Sequence, residues 1–453
     1  MRALKEINLN LERQIAKEDE KKYLFLPFDI PENTEYFTID VSFEGEGAGS
    51  NVTDEEKNVI DFALMDENGD DVGASGSNTR SITVGLAYSS PGYRRCKPRG
   101  TWQIIIGCYQ VKATGSKVSY NVNFKLKHFR YLLGDLHTHT RGSDGVLTPE
   151  ELAAKAVKKG LDFVFITDHN NSTQDTPIPK VKDLTVVEGL ELTNYKGHIN
   201  LLGHEKPYDG TYAVNNIDEL NQKLDQAKSR GAMRVLNHPF CFMCPILWDF
   251  DQIDYDAIEI WNGPAVRKDM LALDWWQKEL EKGKQIPVTG GSDYHRDYYV
   301  TDLLASPTTR VWADSNDKET LLEAIKKGKM VITKGPDTTM LDIRCGQYTV
   351  GDKIALDEDK ALTISAKGMK KGHVLQVFTQ EGLVFEYENK KTGDYEYSMT
   401  VRNKGFVRAQ IVYEKGFFAK LLHKLVLSTL SKEEAKKDIP PLVYALTNPI
   451  YFY

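Results

Sequence analysis

The sequence predicts an α/β fold class: an α/β barrel flanked on both sides by all-β, sandwich-like domains. Three observations predict it. Before residue 130 and after residue 335, apolar residues recur with period two in short runs broken by Gly, Asn and Asp. Between those limits, apolar strand runs alternate with stretches of helical period. The His, Asp and Glu residues of that middle part gather where its strands end. At 453 residues the chain is too long for one ordinary core. The changes of period divide it into an N-terminal β-sandwich domain (1–129), a barrel (130–335) and a C-terminal β domain (336–453).

Composition narrows the function classes. The net charge is −7 with both signs interspersed, so no basic stripe exists and nucleic acid is not favoured as a partner. The first 22 residues are charged rather than apolar, and no later run approaches membrane-spanning length. Neither a signal peptide nor a membrane partner is therefore expected. Five cysteines (Cys96, Cys108, Cys241, Cys244, Cys345), an odd number without framework spacing, suit a reducing compartment. The expectation is a cytoplasmic protein acting on a small molecule. Nothing in the pattern sets an oligomeric state.

In the first segment Phe37, Ile39, Val41 and Phe43 share one face of a strand at 36–43, and further strands are expected at 59–65 and 102–111. Val118, Tyr120, Val122, Phe124 and Leu126 alternate strictly with Ser, Asn and Lys, the mark of a half-exposed antiparallel strand.

From Tyr131 the period changes. After an opening strand, Thr148-Pro149-Glu150-Glu151 supplies an N-cap, a proline at the first helical position and a capping-box glutamate. Gly160 stops that helix, and the buried run 163–167 follows at once. Strands are then expected at 185–188, 198–202, 234–237, 257–261, 286–289 and 310–312, with helices at 218–229, 270–282 and 316–327. Repeated units of this length predict a parallel sheet, and their number suggests closure into a barrel. Beyond Gly335-Pro336 short strands return at 362–366, 374–378, 395–401 and 406–413. The apolar stripe starting at Phe417 has helical spacing with lysines between, and packing on its own sheet is the expected use.

The chemistry lies at the strand ends. In Gly134-Asp135-Leu136-His137-Thr138-His139, strand alternation sends both imidazoles to one face, and Asp144 follows in a turn ending at Gly145. His169 follows the 163–167 strand, Glu191 ends the next, His198 opens another, His238 closes 234–237, and Asp293 and His295 follow 286–289. Of ten histidines in the chain, six lie at these places, which is hard to ascribe to chance. Imidazole and carboxylate donors converging on one face are the makings of a divalent-metal site.

These motifs carry a resemblance. His137-x-His139 with Ser143-Asp144-Gly145, then Thr167-Asp168-His169, Gly189-x-Glu191, His198 before Leu201-Leu202-Gly203, Asn237-His238-Pro239 and Asp293-x-His295 resemble, in order over 131–335, the PHP (polymerase and histidinol phosphatase) superfamily of metallohydrolases. The flanking β domains, Trp261-Asn262-Gly263 and the ending Ala445-Leu446-Thr447-Asn448-Pro449 look like its CehA/McbA-type branch.

The resemblance implies a distorted, seven-stranded (β/α)7 barrel holding two or three divalent ions, zinc, manganese or iron. His137, His139, Glu191 and Asp293 would hold one ion; a bridging Glu191 with His198 and His238 a second; Asp144, His169 and His295 a third. It implies a phosphoesterase whose nucleophile is a metal-bound hydroxide held by Glu191, Asp293 and His295, with Asp168 and Ser292 orienting the ligands. Metal ions both generate hydroxide near neutral pH and neutralise charge on a phosphate ester. Two alternatives stay open: a carbamate or carboxyl ester hydrolase using the same metals, and a noncatalytic, metal-stabilised binding protein.

For the substrate, Arg141 is expected to clamp phosphate, with a surface ion pair as its rival. Arg296, Asn170 and Asn262 are further candidates, each weighed against an ordinary surface or turn role. Cys241-Phe242-Met243-Cys244 has the spacing of a redox or zinc pair, but no second CxxC exists, so reduced packing is the reading. His128, His204, His373 and His423 match no ligand position and are assigned no metal.

Overall fold

A computed structural model describes residues 5–47, 56–171, 178–297 and 301–453. The chain forms two compact units, Met1–Phe129 and Arg130–Tyr453.

In the first unit, one antiparallel sheet has the order Glu6–Ile15, Ser116–Leu126, Thr34–Phe43, Ser81–Gly85. A second has the order Tyr23–Asp29, Thr101–Gln110, Val59–Met65, Asp71–Ser75. Alternation dictates the burial: Val118, Tyr120, Val122 and Phe124 are buried while Lys117 and Asn121 face solvent. Phe37 of one sheet meets Trp102 of the other edge to face at 5.4 Å, in a core both sheets share. Glu6–Ile15 escapes the sequence reading because it is an edge strand whose residues are nearly all partly or fully exposed.

The second unit is built on one long sheet. Its first part has the order Val288–Gly291, Ala257–Asn262, Met233–Leu236, Gly197–Leu202, Thr185–Asn194, Phe163–Ile166, Arg130–Asp135, Thr308–Ala313, Met330–Thr333. Helices α1 (Pro149–Lys158), α2 (Ile217–Ser229), α3 (Arg267–Glu281) and α4 (Lys318–Lys326) pack against it. The α1 start follows its cap chemistry: Thr148 Oγ1 accepts from the Glu151 N–H at 3.2 Å, and Glu151 Oε2 accepts from the Thr148 N–H at 2.8 Å.

The parallel expectation holds for four pairings and fails at two strands, Gly197–Leu202 and Thr308–Ala313, the second being antiparallel to both Arg130–Asp135 and Met330–Thr333. Phe163–Ile166 runs parallel to both neighbours, as do Met233–Leu236 with Ala257–Asn262 and the latter with Val288–Gly291. Gly197–Leu202 is antiparallel to both of its partners. Its link from Thr185–Asn194 is Tyr195-Lys196, far short of the dozen or so residues a parallel crossover requires. The seven strands from Val288–Gly291 to Arg130–Asp135 form a path whose ends meet beyond the strands themselves: the Asp293 N–H donates to His137 O at 2.9 Å and the His139 N–H to Tyr294 O at 2.8 Å. The sheet therefore curls so that Val288–Gly291 and Arg130–Asp135 deliver the residues that follow them to one place.

The expected boundary at 335/336 falls inside this unit. Met330–Thr333 pairs with Leu442–Thr447, and the sheet continues through Gly405–Tyr413, Val374–Thr379 and Gly382–Glu388. Without Leu442–Thr447, Met330–Thr333 would be a bare apolar edge, which sheets avoid. Arg408 ties the same strands to α3, donating from Nε to Gln277 Oε1 at 2.8 Å with its guanidinium over the Trp276 ring. A further sheet has the order Tyr348–Thr349, Met340–Cys345, Lys360–Met369, Gly393–Val401.

The stripe at 417–430 forms helix α5 (Phe417–Leu430), but among its described side chains the expected packing is not found. Phe417, Phe418, Leu421, Leu422 and Leu425 are 60–83% exposed. The strands before and after it in sequence bury Val407, Ala409, Ile411, Tyr444 and Ala445 in a core of their own. Among the described residues no helix is long and apolar enough to cross a membrane.

Candidate metal centre

The site forms where the curled sheet's strand ends converge. His137 and His139 follow the Arg130–Asp135 strand, His169 follows Phe163–Ile166, and Glu191 lies in Thr185–Asn194. His198 opens its strand within Gly197–Leu202; His238, Asp293 and His295 follow Met233–Leu236 and Val288–Gly291. Local backbone demands are visible. Gly145 lets the 140–145 turn fold back on the first strand, since a Cβ there would lie 2.3 Å from His139 O. Gly291 must likewise be bare, because a Cβ would lie 2.4 Å from the His137 Cβ and 2.5 Å from Glu259 Oε1. Asp293 (φ +53°), His238 (φ +29°) and Asn170 (φ +50°) adopt the left-handed region, conformations that persist only where the surroundings enforce them.

Glu191 is the hub. It is fully buried, and imidazole nitrogens of five histidines surround its carboxylate: His169 at 2.7 Å, His198 at 3.1 Å, His137 and His238 at 3.4 Å and His139 at 3.5 Å. The Asn237 side-chain amide donates to Glu191 Oε1 at 2.7 Å. Asp293 Oδ1 lies 3.0 Å from His139 Nε2 and 3.3 Å from His137 Nε2. On the open side, Asp144 Oδ1 lies 3.2 Å from His295 Nε2 and 3.8 Å from His169 Nε2. All nine residues expected as ligands are thus brought into one cluster. Its exposure rises from none at His137, His139 and Glu191 to 56% at the Asp144 side chain, so the cluster meets solvent at its Asp144 edge.

The donor set fits divalent cations. His137 Nε2 and His139 Nε2 are buried without a hydrogen-bond partner, although carboxylate oxygens crowd both. Buried polar atoms left so are costly unless something fills the space between them. Donor atoms of His139, Asp144, His169 and His295, of His137, His139 and Glu191, and of His169, Glu191 and His198 each lie within 4.8 Å of one another. The electrostatics carry the same demand for positive charge. Burial would raise the Glu191 carboxyl, yet the imidazole charge of His137 and the close imidazoles of His169 and His198 hold it well below the usual carboxylate range. Asp293 is likewise held low, against burial, by His137 and His139. Burial would lower His137, but Asp293, Glu259 and Glu191 push it well above the ordinary imidazole value. Burial wins at His139, which is lowered.

Outer contacts orient the ligands. His169 Nδ1 meets Thr193 Oγ1 at 2.6 Å. Asp168 accepts from the Thr140 N–H at 2.7 Å, the Thr140 hydroxyl at 2.6 Å and the Ser143 hydroxyl at 2.8 Å, pinning the turn that presents Asp144. Ser292 hydrogen-bonds through N–H and hydroxyl to Asp135. Asp135 and Glu259 are absent from the sequence reading. Glu259 accepts from the His238 N–H at 3.2 Å and the Asn262 amide at 3.1 Å, and contacts His137 Nδ1. Its signal was present: one carboxylate in the otherwise apolar run Ala257-Ile258-Glu259-Ile260-Trp261.

The substrate candidates disperse. Arg141 turns to its own loop, donating from Nε to Val146 O at 2.8 Å and reaching Glu151 at 3.9 Å. The Asn170 side chain is tied to the Thr193 backbone, its amide donating to Thr193 O and its carbonyl accepting from the Thr193 N–H. Asn262 is buried between Glu259 and Lys268, whose Nζ donates to Asn262 Oδ1 at 2.7 Å. Arg296 is exposed beside His295.

The model of the PHP domain matches residues 135–227. The chain belongs to the PHP family. The PHP match holds His137, His139, Asp144, His169, Glu191 and His198, while His238, Asp293 and His295 lie beyond it and join through the fold. An uncharacterised protein of Methanocaldococcus jannaschii is 30% identical over 145 residues, 28% of this chain and 80% of that protein. The 5'-3' exoribonuclease Rnm of Salmonella typhimurium is 40% identical over 174 residues, 33% of this chain and 54% of Rnm. This PHP chain therefore spans about half of Rnm's length. A two-domain Bacteroides vulgatus protein containing a predicted PHP-like metal-dependent phosphoesterase superposes with a TM-score of 0.38 at 16% identity, over 62% of this chain and 90% of that one. A putative metal-dependent phosphoesterase of Bifidobacterium adolescentis gives 0.28 at 16% identity, over 42% and 96%.

Proposed function

We infer that this PHP chain is a metal-dependent hydrolase of phosphate esters, of the CehA/McbA-type branch, with a multinuclear centre. The observation that carries the reading is Glu191: one fully buried carboxylate with imidazoles of five histidines 2.7–3.5 Å from it, the arrangement of a residue shared between cations. Divalent ions bound there would supply Lewis acidity, bringing the pKa of water near neutrality and offsetting charge on an ester oxygen. His137, His139, Glu191 and Asp293 would hold the inner ion, His198 and His238 with Glu191 a second, and Asp144, His169 and His295 the one nearest solvent. Glu259 and Thr193 set the ring planes of His137 and His169 by their contacts at Nδ1. Asp168 holds the turn that carries Asp144. The half-exposed Asp144 edge is where an ester would enter.

A carbamate or carboxyl ester is the second reading, favoured by Arg141, whose guanidinium is engaged with Val146 and Glu151 rather than free for a phosphate. The deciding experiment assays metal-analysed protein on phosphomonoesters, phosphodiesters including a short RNA, and carboxyl and carbamate esters, beside a His169→Ala, Asp293→Ala variant. Phosphate-ester cleavage lost with metal in the variant supports the first reading. Turnover of carbonyl esters alone replaces it with the second, and full metal occupancy without any turnover sinks both.

A further inference from the structure

The geometry points to a second chemistry beside the metal cluster: Cys241 and Cys244 form a reversible disulfide, and its formation loosens His238. The inference rests on the metal-centre reading for its consequence, though not for the bond itself.

The two sulfurs lie 3.2 Å apart as thiols. A disulfide places them about 2.05 Å apart, so closure asks for a shift of roughly 1 Å shared between two side chains on one loop. The loop is already folded for it: the Cys241 N–H donates to His238 O at 2.9 Å, and the Ile246 N–H to Pro239 O at 3.1 Å. Cys241 is buried, whereas Cys244 is partly exposed and can be reached from solvent. Among the described residues no other cysteine pair shows such an approach.

The pair is coupled to the centre through His238. Cys244 Sγ lies 3.8 Å from His238 Nδ1, and the opposite nitrogen, Nε2, faces Glu191 at 3.4 Å. With Nε2 turned to the cluster, Nδ1 carries the proton and the Cys244 sulfur is its neighbour on that side. A sulfur drawn toward Cys241 and bonded to it is a poorer acceptor for that N–H, and the ring loses the contact that sets its plane. The same loop also braces His198. The Leu247 N–H donates to Lys196 O at 2.8 Å, and Ile246 packs so closely on Gly197 that a Cβ there would meet it at 2.4 Å. His198, His238 and Cys244 have donor atoms within 4.8 Å of one another.

With a small-molecule disulfide as oxidant, the atoms balance. The Cys244 sulfur attacks one oxidant sulfur, releasing one thiol and leaving a mixed disulfide. The Cys241 sulfur then attacks Cys244 Sγ and expels the second thiol, so both protein protons end on the two released thiols.

The experiment treats the full, metal-loaded chain with oxidised glutathione, then with dithiothreitol. Intact mass, free-thiol count and bound metal at a fixed chelator concentration are read at each stage, with Cys241→Ser as the variant that cannot close the bond. The expected result is a loss of two mass units and two thiols, mapped to Cys241 and Cys244. Bound metal then falls several-fold, is restored by reduction, and does not change in Cys241→Ser. Absence of the bond while the reduced chain binds metal, or the bond with metal unchanged, overturns the proposal. A reduced chain that binds no metal overturns the metal-centre reading and this consequence together.

Discussion

Glu259 Oε1 lies 3.1 Å from Nδ1 of His137, both side chains fully or almost fully buried, so a carboxylate on the Ala257–Asn262 strand fixes which nitrogen of a histidine just beyond the Arg130–Asp135 strand faces the cluster. A carboxylate behind a ligating imidazole orients the ring and raises its basicity. Glu259→Gln keeps the shape but gives up the charge. Metal affinity is expected to fall about 10- to 100-fold, measured by titration with a competing chelator, while circular dichroism of the folded chain stays unchanged. Unaltered affinity would assign Glu259 to packing alone.

The α5 helix makes an opposite prediction, of near indifference. Phe418 and Leu422 are 83% and 62% exposed, so replacing both with Ser removes little buried surface. Stability is expected to move by no more than about 0.5 kcal/mol per site, read from urea midpoints. A loss several times larger would mean that the stripe packs as its helical spacing suggests.

That contrast shows what the sequence makes legible. Histidines at strand ends announce the site because strand alternation and turn position follow from local pattern, and the nine expected ligands form one cluster with Glu191 at its buried end. Hydrophobic spacing announces a helix at 417–430 but is silent on whether the facing sheet still has a free surface. The 195–196 turn hides in a run that reads as one more strand-to-strand step, and the last strands hide their role because pairing Leu442–Thr447 with Met330–Thr333 is a long-range event. Arg141 shows the same limit: alternation aims it at the cluster only if the strand continues, but the strand ends at Asp135 and Arg141 lies in the Thr140–Gly145 turn.

His373 should make the protein acid-sensitive. It is buried against the Tyr444 ring at 4.3 Å and the Tyr413 ring at 5.6 Å. Burial first, then the charges of Lys370 and Lys334, bring its pKa down to about 4. In the unfolded chain the ring titrates near 6.5, so on acidification the unfolded state takes the proton first. Stability is therefore unaffected by this group above about pH 6.5, falls as pH drops toward 4, and is fully reduced below that. The contribution is about 1–3 kcal/mol. His373→Phe should flatten that part of the stability curve, measured as urea midpoints at pH 7 and pH 4.5. An equal slope in the variant would place the acid sensitivity elsewhere.

Asn448 should prove indispensable although it lies five residues from the end of the chain. It is 1% exposed, and its side chain accepts from the Val288 N–H at 2.9 Å while donating to Val288 O at 2.9 Å and Met330 O at 3.2 Å. These bonds hold the start of the strand that ends in Gly291 and leads to Asp293. Asn448→Ala would strand the buried Val288 N–H and take a donor from Val288 O, while Met330 O keeps the backbone N–H of residue 448 at 3.1 Å, at a cost of about 1–3 kcal/mol for each group left unsatisfied. The expected outcome is a clear fall in denaturation midpoint together with weaker metal binding, because the strand carrying Asp293 loses its brace. Asn448→Asp, which keeps an acceptor for the Val288 N–H but sets a carboxylate against two carbonyls, should be at least as damaging. A variant that lost stability while holding metal as tightly as the parent would show that this brace serves the fold alone.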